Sequence, residues 1–178
     1  MRSKIGWIGL LVFALLVTAC SPNPTASSSN DISVWLSIPI LNVKSNDQIT
    51  LADYSGKTVI VEGMAVWCGE CFYQQSQASQ ALAQLNRDDV VYISLDIDPN
   101  EELPLIAEYA ASNQFDWVFT KSNPELMEPL IARFGRAITV PSNMPIFLIS
   151  PQGQVSELHT GGHTASQLIE LIEQWSGK

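Results

Sequence analysis

Residues Thr58 to Val66 form a mostly apolar run rich in β-branched side chains, the pattern of a strand buried on both faces. From Gly69 the period changes. Phe72, Ala78, Leu82 and Leu85 recur at near-helical spacing until the polar stretch that begins at Asn86. Val90 to Asp96 reads as a second buried strand, and Asn100-Glu-Glu as a helix start with Leu103, Ile106 and Tyr109 on one side. Trp117 to Thr120 is a short strand. Pro124 then opens a helix carrying Met127, Leu130, Ile131 and Phe134, which Gly135 stops. Ile146 to Ile149, the turn at Pro151-Gln-Gly153, and Gln154 to Leu158 read as an antiparallel hairpin. A last helix places Leu168, Leu171, Ile172 and Trp175 together. After an N-terminal segment the order is β-α-β-α-β-α-β-β-α. It predicts an α/β fold, a central mixed sheet flanked by helices on both faces. No strand leads into a G-x-G-x-x-G loop, so an open dinucleotide-binding unit is not expected.

The N-terminus follows another pattern. Arg2 and Lys4 precede an apolar stretch from Ile5 to Val17, about 13 residues, which suits a signal-peptide core better than a membrane span of about 20. It ends in Val17-Thr-Ala-Cys20, which resembles the lipobox of bacterial lipoproteins, with Cys20 as the lipidated new N-terminus. An ordinary signal peptide and an uncleaved anchor are the alternatives. The small polar residues that follow cannot bury apolar surface and read as a flexible tether. The expected organisation is a signal peptide over 1–19, a tether over 20–31 and a domain over 32–178.

Composition narrows the function classes. The chain has 178 residues, 46% of them hydrophobic, enough for a core of ordinary size. Nine basic against eighteen acidic residues give −9, and loss of Arg2 and Lys4 on cleavage would make it −11. An acidic surface argues against a nucleic-acid partner, which requires a basic face.

Of three cysteines, Cys68 and Cys71 form a C-x-x-C between a buried strand and an amphipathic helix. Unpaired N–H groups and the dipole at a helix N-terminus favour a thiolate there. Cys68 is the expected nucleophile toward a partner disulfide, and Cys71 the thiol that resolves the mixed disulfide. Half a zinc site and a purely structural disulfide are the other readings. No second cysteine pair is present, and a strand-to-helix boundary should expose the thiols. Glu62, six residues before Cys68 in an otherwise apolar strand, is a candidate base for Cys71, its pKa raised by desolvation. A strand-edge carboxylate reaching solvent is the alternative for Glu62.

Three stretches, Leu51 to Val61, Trp67-Cys-Gly-Glu-Cys71 and Met144 to Gly153, resemble the TlpA/ResA-like branch of the thioredoxin superfamily. The resemblance covers roughly 32–178 and implies a thioredoxin-like fold and protein thiol–disulfide exchange without a cofactor or metal. It implies that Trp67 is the tryptophan before the first cysteine. Pro145 becomes the proline whose cis bond packs beside the disulfide, leaving the Met144 backbone free to pair with an extended substrate; Pro141 is the competing proline. The acid at Glu62 occupies the place where thioredoxins themselves put a buried carboxyl group.

The chain also departs from the family. Glu70 stands where most relatives carry proline, and Met64 replaces a common aromatic. A negative charge beside the thiolate opposes ionisation and makes the couple more reducing. These features imply an envelope enzyme, extracytoplasmic and lipid-anchored, that reduces exported cysteine-containing clients with electrons from a transmembrane donor. An oxidase or isomerase on the same scaffold is the alternative. So is a copper-chaperone-like module, although Sco-type chaperones space their cysteines C-x-x-x-C, and His159 and His163 read as surface loop residues.

Overall fold

A computed structural model describes residues 34–177. The expected signal peptide, Cys20 and the expected tether lie outside the described residues, as do the first two positions and the last of the expected domain.

Among the described residues, the elements from Ile40 onward are β1 (Ile40–Asn42), β2 (Gln48–Ile49), β3 (Thr58–Met64), α1 (Gly69–Leu85), β4 (Val90–Asp96), α2 (Leu103–Ser112), β5 (Val118–Lys121), α3 (Pro124–Phe134), β6 (Ile146–Ile149) and α4 (Ala165–Ser176). The sheet order is β2-β1-β5-β4-β3-β6. Strands β3, β4 and β5 run parallel, while β6 joins β3, and β1 joins both β5 and β2, antiparallel. The mixed α/β sheet expected from the pattern is the one observed.

All seven residues of β3 are buried, as a central strand with helices on both faces requires. Val59 and Val61 face a core shared with Leu126 and Leu130 of α3. Ile60 faces the opposite core, with Ala78 and Ala81 of α1 and Leu168 and Ile172 of α4. Helix boundaries follow local chemistry. Asn86 ends α1 in the left-handed conformation and donates its N–H to Leu82 O, whereas the Asn123 side chain caps α3 by accepting from Leu126 N–H at 2.8 Å.

Two differences from the sequence pattern stand out. The β1–β2 hairpin, three and two residues long, is too short to show a period. The segment after Gly153 pairs with β6 only at two separate bridges, Ile146 with His159 and Ile149 with Val155. Between them the buried Ser156 turns its hydroxyl into the ladder and accepts Leu148 N–H at 2.9 Å, which interrupts the expected second strand.

Gly63 fixes the approach of β3 to the segment before β6. A Cβ there would stand 3.1 Å from Pro145 Cγ and 3.3 Å from both Ile138 O and Ile97 Cδ1. Gly63→Ala is expected to lower stability by about 1–3 kcal/mol in chemical denaturation, because two of the three neighbours belong to backbone or a ring. Gly69→Ala, whose Cβ would meet nothing within 4 Å, serves as the control.

Candidate active site

Strand β3 delivers the chain to a turn at Ala65–Trp67 and then into α1. Cys68 is the N-cap of that helix, and its Sγ accepts the Cys71 N–H at 3.1 Å. The spacing brings the two Cα atoms to 5.2 Å, and the sulfurs form a disulfide. Cys68 and Cys71 both pack with Met64, Ala65, Ile106, Phe115 and Phe119. They are 2% and 0% exposed, so the exposure expected of an element boundary is not found. Pairing the thiols and surrounding them with apolar side chains removes both from water. The exposed surface beside them is aromatic instead: Trp67 is 63% exposed, with Phe72 and Tyr73 also open to solvent.

The segment before β6 closes over the disulfide. Pro141 O lies 3.3 Å from Cys71 Sγ, a position where it can accept a hydrogen bond from the Cys71 thiol once the disulfide is reduced. Pro145 is anchored to β3 by the bond from Gly63 N–H to Pro145 O at 2.9 Å. The expected cis bond at Pro145 is not there. No cis peptide occurs among the described residues, so the Met144–Pro145 bond is trans. A 3₁₀ turn over Pro141–Asn143 and a left-handed Met144 (φ 48°) reverse the chain instead. The Met144 N–H is spent within that turn on Pro141 O at 2.8 Å, so it is not free to pair with a substrate strand. Pro141, the competing proline, contributes the carbonyl nearest Cys71.

Glu62 is fully buried, not at a solvent-facing edge. It sits opposite Ser94 in the β3–β4 register and accepts the Ser94 hydroxyl at 3.2 Å. Ser94 Oγ in turn accepts from Gln75 Nε2 at 3.3 Å and Trp117 Nε1 at 3.0 Å, and Gln75 Oε1 accepts from Tyr109 Oη at 2.6 Å. Every donor in this chain points toward the carboxylate, yet burial outweighs them and pushes the Glu62 pKa up to about 8. Gln75 lies one helical turn beyond Cys71, which ties the acid to the helix that carries Cys71.

Several residues of the site carry no sequence signal of their own. Gln74, buried in α1, accepts His163 N–H at 2.8 Å and so binds the helix to the loop before α4. Asp98 accepts the Trp67 indole N–H at 2.7 Å, and Glu101 accepts Val66 N–H. Asp96 resembles Glu62 in one respect that the sequence displays, an acid within an apolar strand. His159 and His163 are half-buried, their rings 6.2 Å apart. Burial lowers the pKa of both. Among the described residues no three His, Cys, Asp or Glu side chains group as metal ligands.

No family model matches the sequence. Solved structures do resemble it. A thiol:disulfide interchange protein of the thioredoxin family from Chlorobium tepidum TLS superposes with a TM-score of 0.64 at 19% identity, over 78% of this chain and 92% of that one. A secreted Mycobacterium tuberculosis disulfide oxidoreductase homologous to E. coli DsbE gives 0.61 at 12%, over 79% and 98%. BsSco, a member of the Sco family of cytochrome c oxidase assembly proteins, gives 0.62 at 19%, over 78% and 91%. The chain thus has the thioredoxin-like fold, with a C-x-x-C disulfide at the start of α1.

Proposed function

We propose that the protein is an extracytoplasmic, lipid-anchored thiol–disulfide oxidoreductase that reduces disulfides of exported proteins. The observation that carries this reading is the Cys68–Cys71 disulfide at the N-terminus of α1, served by a buried acid on the adjoining strand. In the reduced protein the Cys68 thiolate attacks one sulfur of a client disulfide. A mixed disulfide forms and the first client sulfur leaves as a thiolate, which takes a proton from water. Cys71 then gives its proton to ionised Glu62 and attacks Cys68 Sγ. The internal disulfide closes and the second client sulfur departs, so two electrons have passed to the client. A dithiol donor at the membrane restores the reduced state, and protonated Glu62 can return its proton to the Cys71 thiolate as the disulfide opens.

The reductive direction is supported by Glu70, an acid in the first turn of α1 between the two cysteines. Negative charge destabilises a thiolate and hence the reduced couple. The exposed Trp67, Phe72 and Tyr73 supply an apolar surface that suits protein clients rather than small polar thiols.

In the native host, Cys71→Ser should accumulate mixed disulfides with envelope proteins through Cys68, visible as adducts on non-reducing gels. Absence of adducts, or adducts that persist when Cys68 is also replaced, would count against the reading. A measured reduction potential well above the thioredoxin range would select an oxidase instead.

A further inference from the structure

A second pair of buried acids adjoins the turn that presents Cys68. Asp96 ends β4 with no solvent exposure, and Glu101, in the turn between β4 and α2, is 6% exposed. Both oxygens of Glu101 lie 2.9 Å from the Val66 N–H. Beside it, Asp98 Oδ2 accepts the Trp67 indole N–H, and Ile97 N–H reaches Met64 O at 2.9 Å. The β4–α2 turn therefore grips the backbone on both sides of Ala65, immediately before the cysteines.

Burial and the neighbouring Glu101 carboxyl both favour a proton on Asp96, so the two buried acids hold one between them. The free atom is identifiable. Asp96 Oδ1 accepts Asp98 N–H at 3.1 Å and faces Lys121 Nζ at 3.8 Å, whereas Oδ2 receives no donor. A proton on Oδ2 directed at Glu101 satisfies both. One proton between Asp96 and Glu101, with the Lys121 cation beside them, brings the three to zero charge around two almost wholly buried carboxyl groups. Lys121 Nζ also donates to Asp98 O at 2.8 Å and to Glu101 O, so it is held in place. Loss of the shared proton would leave a net negative charge and two repelling carboxylates.

We propose that Asp96 and Glu101 are a proton-sharing positioning pair that holds the Val66–Trp67 turn, and with it Cys68, in place, and that losing the shared proton at alkaline pH releases the turn. The pair acts through Glu101 on the Val66 amide. This extends the reading of Cys68 as nucleophile, which gives the turn its importance. The titratable and charged groups facing the pair are Lys121 from β5, Asp98 from the turn and Tyr109 from α2. Burial and Glu101 push the Asp96 pKa up to about 8, while the Trp67 indole holds Asp98 below the usual carboxylate range. Asp98 therefore stays ionised throughout the interval in question.

The test uses the disulfide form, in which neither cysteine titrates, and reads Val66 amide exchange and the Trp67 indole resonance by NMR from pH 6 to 10. In the parent protein the two signals should shift together with an inflection near pH 8, and Val66 exchange, corrected for its intrinsic pH dependence, should accelerate about tenfold or more across it. Asp96→Asn offers an amide donor to Glu101 that cannot ionise, so Val66 should stay protected and the inflection should vanish. Glu62→Gln, which removes the other buried acid, should leave it in place. An inflection absent from the parent, surviving in Asp96→Asn, or lost in Glu62→Gln overturns the proposal. These signals need no client and no turnover. If they behave as stated while the parent protein reduces no disulfide, it is the oxidoreductase reading that has failed.

Discussion

Cys68→Ser is expected to reduce disulfide-reductase activity to the uncatalysed level, measured with the purified domain and a protein disulfide substrate under a chemical dithiol donor. Cys68 forms the N-cap of α1, where backbone N–H groups and the helix dipole favour its thiolate, and no other thiol lies among the described residues except Cys71. Cys71 is less able to substitute. It lies inside the helix with no solvent exposure, and its sulfur abuts Pro141 O. The loss should be about a thousandfold or more, because nothing remains to attack the substrate sulfur. Appreciable activity in Cys68→Ser would remove the basis of the mechanism. Since serine can retain the N-cap, accepting the Cys71 N–H in place of sulfur, the variant should still fold.

The second large effect concerns Glu62. Its pKa rises from 4.5 to about 8 on folding because burial penalises the charge. Between those two values the folded chain holds a proton that the unfolded chain releases, so stability falls as pH rises through the interval and levels off above pH 8. Asp96, also raised to about 8, contributes in the same direction. Glu62→Gln removes the ionisation while keeping a polar group for Ser94. The variant should therefore be more stable than the parent at pH 8, by on the order of 2 kcal/mol, and nearly unchanged at pH 4. The same substitution removes the acceptor for the Cys71 proton. Resolution of a preformed mixed disulfide, followed by stopped flow at pH 8, should slow about a hundredfold or more. The combination is diagnostic. A carboxylate with only a structural role would give a change in stability without a change in the resolving step.

Much of this site was readable from residue order. The buried run of β3, the change to helical period at Gly69 and the C-x-x-C between them place the disulfide without any coordinates. Glu62 was equally legible, since an acid inside a seven-residue apolar strand has few places to go. Less legible were the features made by elements distant in sequence. Glu101 reaches Val66 across 35 positions and Gln74 reaches His163 across 89, and no local spacing encodes such meetings. The turn before β6 departs from expectation for a different reason. The family resemblance implies a cis bond at Pro145, but the left-handed Met144 turns the chain with a trans one. Serine at 156 likewise looks like an ordinary outward position, yet its buried hydroxyl interrupts the strand that the alternating pattern suggested.

The interrupted pairing on β6 has a bearing on the company this protein would keep. The two margins of the sheet are β2, only two residues long, and β6, covered at Ile146 and Ile149 by the segment that follows. Neither margin offers a long row of unsatisfied backbone groups to an incoming strand. Under the proposed function the clients would include unfolded polypeptides, whose segments can add to an open sheet edge. A sheet built in this way can handle their cysteines without nucleating their aggregation.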